Sequence, residues 1–128
     1  MSKFALKEYN NVNGIITFFK IIEDGFCYWD EFCKSIQAEG TWEEQLDVLV
    51  SQMDSKANLK PLSDKKYKEI STGIKGIKAF EFRTWDLRAY GIKDEKGNII
   101  ILAGKKATQD KDISQLKSII KRYLSSKK

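Results

Sequence analysis

The sequence predicts an α+β domain: a small antiparallel sheet, built from an N-terminal strand and a three-stranded meander, with a helix hairpin on one face and a C-terminal helix. Three patterns predict it. From Ile77 to Lys106 the chain reads IKAFEFR, TWD, LRAYGIKD, EKGN and IIILAGKK, three apolar runs joined by two short polar turns, as an antiparallel meander requires. Upstream, Trp29, Phe32, Cys33 and Ile36, and then Leu46, Leu49, Val50 and Met53, recur at helical spacing. Downstream, Ile113, Leu116, Ile120 and Leu124 form one more stripe, flanked by Ile119 and Tyr123. A strand, two helices, a meander and a last helix make one α+β domain rather than a repeating βα fold.

The elements follow in order along a single domain, residues 1–128, which is long enough for one core. Residues 1–14 are polar and Asn-rich and are expected to form a loosely held leader. Ile15–Ile22, IITFFKII, is short, apolar and β-branched, and reads as a strand buried on both faces. Asp24-Gly25 ends it. The first helix covers 28–38 and stops at Gly40. Thr41 opens the second, with Glu44 completing a capping box in which each side chain accepts from the other residue's backbone N–H. Glu43 and Glu44 also suit the positive end of the helix dipole. With about two residues between them, the helices pair as an antiparallel hairpin. They cover one sheet face and leave the other at least partly open. The stretch 55–62 contains Pro61 and is a connection, Ser63 caps a short helix through Ile70, and Gly73 and Gly76 mark a loop. Glu95-Lys96-Gly97-Asn98 is a hairpin signal with Gly97 at positive φ. Thr108 or Asp110 caps the last helix, 110–124, and residues 125–128 are expected to fray.

Charge divides the chain. Residues 1–64 hold 6 Lys and 11 Asp or Glu, whereas residues 65–128 hold 17 Lys or Arg and 7 Asp or Glu. A basic face with an anionic partner, RNA or DNA first, is the reading this favours; solvated lysines account for the tail Lys127-Lys128. No apolar run approaches the roughly 18 residues of a membrane span, and no signal-peptide core is seen, so a cytoplasmic protein without a membrane partner is expected. Cys27 and Cys33, the two cysteines, would point to different sides of one helix and are read as reduced thiols.

The composition also excludes chemistry. There is no histidine, so Ser-His-Asp and Cys-His catalysis in their usual form are absent, as are zinc sites built from His or clustered Cys. No Gly-rich phosphate loop precedes a helix. Asp30-Glu31 and Glu43-Glu44 are helix neighbours that diverge, and read as solvated faces. Neither a metal nor a cofactor is expected. What remains is cationic. Alternate strand residues share a face, so Glu81 and Arg83 look one way and Phe80 and Phe82 the other, while Arg88, Tyr90 and Ile92 share a face on the next strand. If the polar faces coincide, Arg83, Arg88 and Lys106 converge with Glu81 and Tyr90. Guanidinium groups grip phosphate oxygens bidentately and do not deprotonate, which suits a phosphate gaining charge. The same residues also read as cross-strand ion pairs on a solvated face. Trp85 is expected to cap the core, its other reading being an exposed stacking surface for a base. Lys111, Lys117 and Lys121 read as a solvated helix face that could also track a nucleic-acid backbone.

AFEFRTWDLRAYGI and IIILAGKKATQDKDISQLKSIIKR resemble the strand and C-terminal patterns of the RelE/ParE toxin superfamily, in its HigB-like, phage-derived branch. The likeness spans residues 15–124 and is most specific over 80–106. It implies the RelE-like fold and the toxin of a type II toxin–antitoxin pair. It further implies a ribosome-dependent endoribonuclease that cuts mRNA, since RelE and HigB members cleave in the decoding site; ParE members poison gyrase instead. The positions that match the family pattern are Arg83, Arg88, Lys105 and Lys106. Ala79 and Glu81 stand where RelE-type enzymes carry catalytic lysines, Asp112 lies near the place of their C-terminal tyrosine, and the HigB histidines have no counterpart. The implied reaction is attack of a 2′-OH on the adjacent phosphate, with Arg83, Arg88 and Lys106 stabilising charge and Glu81 or Asp112 as general base. Lys105, Tyr90, Trp85 and Lys111 would contact RNA. The implied partners are mRNA on the ribosome and a small helix-turn-helix antitoxin encoded next door. A non-catalytic binding module on the same scaffold, directed at gyrase, RNA or an antitoxin, is the alternative.

Overall fold

A computed structural model describes residues 2–127. The elements run β1 (Phe4–Glu8), β2 (Phe18–Glu23), α1 (Tyr28–Glu39), α2 (Glu43–Ala57), β3 (Tyr67–Ile70), β4 (Ala79–Arg83), β5 (Leu87–Asp94), β6 (Gly97–Lys105), a one-turn 3-10 helix (Lys106–Thr108) and α3 (Gln109–Ser126). The α+β class is as read, but the sheet is larger: six strands in the order β1-β2-β6-β5-β4-β3. It is also mixed, because β2 runs parallel to β6, pairing Phe18 with Asn98 and Lys20 with Ile100, while the other neighbours are antiparallel.

Both additional strands come from segments read otherwise. Residues 4–8 are not a loose leader: Phe4 and Leu6 face inward in alternation with Ala5 and Lys7, and the strand pairs with β2 from Phe4↔Glu23 to Glu8↔Phe19. The rest of the leader is held too, since Tyr9 and Val12 are buried. The helix expected at 63–70 is one turn, in which the Lys66 and Tyr67 N–H groups both donate to the Ser63 carbonyl, followed by edge strand β3. Tyr67 packs on Phe80 and Phe82, and that aromatic contact on the sheet decides the conformation.

Helices α1 and α2 bury Trp29, Ile36, Leu46, Leu49 and Met53 with Phe18, Phe80 and Phe82 on one face. The opposite face is not open. Helix α3 covers it with Leu116, Ile119, Ile120 and Tyr123, against Ile21, Tyr90, Ile92, Ile99 and Ile101. Two apolar clusters sandwich the sheet, so β2 buries side chains on both faces, Phe18 on one and Ile21 on the other, although it starts at Phe18 and not at Ile15, which is exposed. Gly40 ends α1 in the left-handed conformation, its N–H donating to the Ile36 carbonyl. The capping box at Thr41 and Glu44 does not form. Trp42 takes the N-cap position without a side-chain cap, because its indole has an N–H donor and no acceptor to offer the helix N–H groups; that N–H donates to Asp86 at 3.2 Å. Gly97 has φ 152°, and a side chain there would overlap the Thr17 carbonyl where β6 approaches the start of β2. Helix α3 continues to Ser126, into the tail expected to fray; Lys128 lies outside the described residues. Among the described residues no helix is long and apolar enough to cross a membrane.

Candidate functional site

The end of the sheet where β4 turns into β5, and where β6 leads into the 3-10 turn, gathers most of the residues singled out from sequence. Cross-strand register pairs Glu81 with Tyr90 and Arg83 with Arg88, all on the α3 face. On β6, Leu102 lies opposite Tyr90 and Gly104 opposite Arg88. A side chain at Gly104 would overlap the Asp112 carboxylate, so this glycine is the slot through which α3 brings Asp112 to the sheet. The β4–β5 turn stands close to the 3-10 segment, for the Lys106 N–H donates to the Asp86 carbonyl at 2.7 Å.

Burial sorts this group into an inside and a rim. Glu81 and Tyr90 are fully buried, Arg88 is 3% exposed and Asp112 9%. Glu81 accepts from the Gln109 amide, and its other oxygen lies 3.5 Å from the Arg83 Nε. Arg88 donates through Nη1 to the carbonyls of Thr84 at 2.6 Å and Leu87 at 2.9 Å. Burial and the neighbouring Arg83 pull its pKa down. Asp112 accepts from the Thr108 hydroxyl at 2.7 Å, and burial raises its carboxyl above the ordinary range. Burial, with Glu81 and Asp112 adding to it, pushes the Tyr90 phenol far up, so it stays protonated. Three buried polar atoms here lack a hydrogen-bond partner: Glu81 Oε2, Arg88 Nε and the Tyr90 hydroxyl. Such atoms are costly when left unpaired, so a cluster of three marks a polar interior and not ordinary core packing.

The rim holds Arg83, whose side chain is 27% exposed, and the exposed Lys106 and Lys111. Lys105 is not part of it. A bulge between Tyr90 and Gly91 on the β5–β6 ladder leaves Ile101 and Leu102 both in the α3-side cluster, and so reverses the alternation that follows. Lys105 therefore points to the α1 side, where its Nζ meets Glu39 at 3.0 Å and lies 4.2 Å from the Trp42 ring centre. Lys117 and Lys121 lie farther along α3.

Trp85 does not cap the core. It is 84% exposed on the β4–β5 turn. That turn is held from α2 by residues not picked out from sequence. The Gln45 carbonyl accepts from the Thr84 hydroxyl at 2.8 Å and the Asp86 N–H at 2.7 Å, and the Gln45 amide donates to the Asp86 carboxylate at 2.9 Å. No local pattern connects Gln45 with residue 86, so composition and spacing alone could not have found it.

Other chemistry is limited. Burial raises the Cys33 thiol to about 12 and the Cys27 thiol also upward, so neither is a ready nucleophile. Among the described residues no three His, Cys, Asp or Glu side chains gather as a metal site would need. No family model matches this chain, and no match is found among curated proteins or solved structures.

Proposed function

We propose that this chain is the toxin of a type II toxin–antitoxin pair, a RelE/HigB-type endoribonuclease that cuts mRNA on the ribosome. The observation that carries the reading is the cross-strand Arg83–Arg88 pair, set beside Glu81 and Tyr90 at the sheet end where β6 delivers Lys106. The 2′-oxygen of the RNA bonds to phosphorus, its proton passes to a base, the bond from phosphorus to the 5′-oxygen breaks, and that oxygen takes up a proton. Arg83 and Lys106, on the rim, stabilise the charge that grows on the phosphate. Asp112 is the base: burial raises its pKa toward the working range. Glu81 and Arg88 are positioning residues. The first holds Arg83 in place and the second holds the Thr84–Leu87 turn. A small helix-turn-helix antitoxin from the adjacent gene would silence the activity by covering this basic end.

The test is induction in bacteria with mapping of mRNA 5′ ends. Growth arrest with new codon-phased cuts is expected, and Arg83→Ala should lower cleavage by about 10²–10³-fold, the usual effect of removing one charge-stabilising donor. Arg88→Ala should impair cleavage through the turn, with Arg88→Lys restoring part of it. Normal growth without new cuts overturns the reading.

The burial of Glu81, Arg88 and Tyr90 favours a second reading, a binding module on the same scaffold that acts without catalysis. Toxicity that persists in folded Arg83→Ala and Arg88→Ala proteins would select it.

A further inference from the structure

An exposed tryptophan on a turn is unremarkable when the turn is loose. Here the turn is fixed from three sides. Gln45 holds Thr84 and Asp86 from α2, the Trp42 indole donates to Asp86, and buried Arg88 donates to the Thr84 carbonyl. Trp85 sits between these anchored neighbours and is itself 84% exposed. A large apolar ring carried into water on an anchored backbone is unfavourable for the free protein and is placed ready for a ligand.

The surroundings say what kind of ligand. Beside Trp85 lies an open groove of about 370 Å³, lined by Gln45, Val48, Lys65, Lys66 and Arg83 among others, with no acidic side chain in its wall. Val48 is 47% exposed, adding an apolar floor on α2. Lys65 and Lys66 are exposed and enter no ion pair among the described residues. The Arg83 N–H donates to the Lys66 carbonyl at 2.8 Å, so this groove adjoins the Arg83–Arg88 pair directly. A flat ring, an apolar floor and unpaired cations at the lip match a ligand with flat faces and a phosphate backbone.

We infer that Trp85 and its groove form a stacking site for an unpaired base of single-stranded RNA, with Lys65 and Lys66 on the flanking phosphates. This rests on the RNA-directed reading above and extends it, by assigning the substrate an unpaired nucleotide on the α2 side of the Arg83–Arg88 pair. A base in a duplex has no free face for the ring, so single strands are selected by shape and not by sequence.

The test is a titration of a fluorescein-labelled, unstructured oligoadenylate with the purified chain, followed by anisotropy of the label, with tryptophan fluorescence of the parent as a second reading. Trp29 is buried and Trp42 half-buried, so the part of the quenching that Trp85→Phe removes is the part that reports on Trp85. Oligoadenylate should quench, an RNA duplex of equal length should do so far less, and Trp85→Ala should weaken binding about tenfold or more, as expected for loss of one stacked base. Trp85→Phe should keep most of the affinity, and Lys65→Gln with Lys66→Gln should lower it. The exposure of Trp85 means that these variants fold, which circular dichroism checks. The inference is overturned if Trp85→Ala binds as the parent does, or if duplex binds as well as single strand. It is also overturned if oligoglutamate quenches Trp85 and displaces the RNA, which would make the groove a seat for an acidic protein segment. Its failure is separable from that of the cleavage reading. Cuts in cells with Trp85-independent binding sink only this inference, and Trp85-dependent binding without cuts sinks only the cleavage.

Discussion

Glu23 is 6% exposed, and yet its pKa falls to about 2, because Arg122 donates to both its oxygens, at 2.6 and 2.9 Å, and the Tyr28 hydroxyl donates at 2.8 Å. The clasp ties α3 and α1 to the end of β2. A carboxyl whose folded pKa lies below its unfolded one stabilises fully above the unfolded value, near 4.5, and loses that contribution as pH falls toward 2. Glu23→Gln should therefore cost about 1–2 kcal/mol at pH 7, the lower part of the range for charged hydrogen bonds because Arg122 is partly solvated. Urea curves should show the gap to the parent narrowing by more than half at pH 3; a gap that stays constant would mean that charge is not what Glu23 contributes. Gly104 gives the second residue-scale prediction. Gly104→Ala should cost about 1–3 kcal/mol by overpacking against Asp112, and Asp112→Ala should recover most of that loss in the double variant. Strictly additive losses would show that the two do not meet. Neither contact is legible in the sequence. Glu23 and Arg122 stand 99 positions apart, and a lone glycine late in a strand reads only as a weak residue until α3 is seen lying on it.

The elements are most legible where a helix has one face to bury or a short polar turn divides two apolar runs. Helices α1 and α2 follow their periodicities closely, the two turns of the meander fall where the polar stretches place them, and the polar faces of β4 and β5 coincide, Glu81 opposite Tyr90 and Arg83 opposite Arg88. The misreadings have physical causes. The period-two pattern of residues 4–8 is short and precedes a run of asparagines, and β3 is formed by pairing with β4 more than by its own propensity. The bulge at Ile101 reverses the alternation late in β6 and carries Lys105 away from the site, which no count along the strand anticipates. The apolar stripe of α3 marks where the helix lies in the chain but not which sheet face it covers, so the sequence reads that face as partly open. Ile120 is fully buried between α3 and the sheet. Ile120→Ala should then cost about 2–5 kcal/mol by chemical denaturation, as for a core site. A loss under about 0.5 kcal/mol, typical of surface positions, would mean that α3 only rests on the fold.

At the scale of the whole molecule, the parallel pairing of β2 with β6 joins the two ends of the chain, so that acidic first half and basic second half share one sheet. The charge asymmetry read from sequence thereby acquires a location. Lys106 and Lys111 border the β4–β5 end on the α3 side, and Lys65 and Lys66 border it on the α2 side, all four exposed and outside the ion pairs among the described residues. Cations already paired, such as Lys105 with Glu39 or Lys93 with Glu69, have little to gain from a phosphate. Each phosphate neutralised on a single strand contributes about −0.7 to the slope of log affinity against log salt, because a condensed counterion is released. If three or four of the five cations, these lysines and Arg83 together, track the backbone, the slope for oligoadenylate should be about −2 to −3. Lys65→Gln with Lys66→Gln should flatten it by about 1.4, two contacts' worth. Lys7→Gln, on β1 at the far edge of the sheet, should leave it unchanged. A parent slope near zero, or equal flattening by the Lys7 variant, would show that the positive charge acts diffusely and that the β4–β5 end is not where RNA lies.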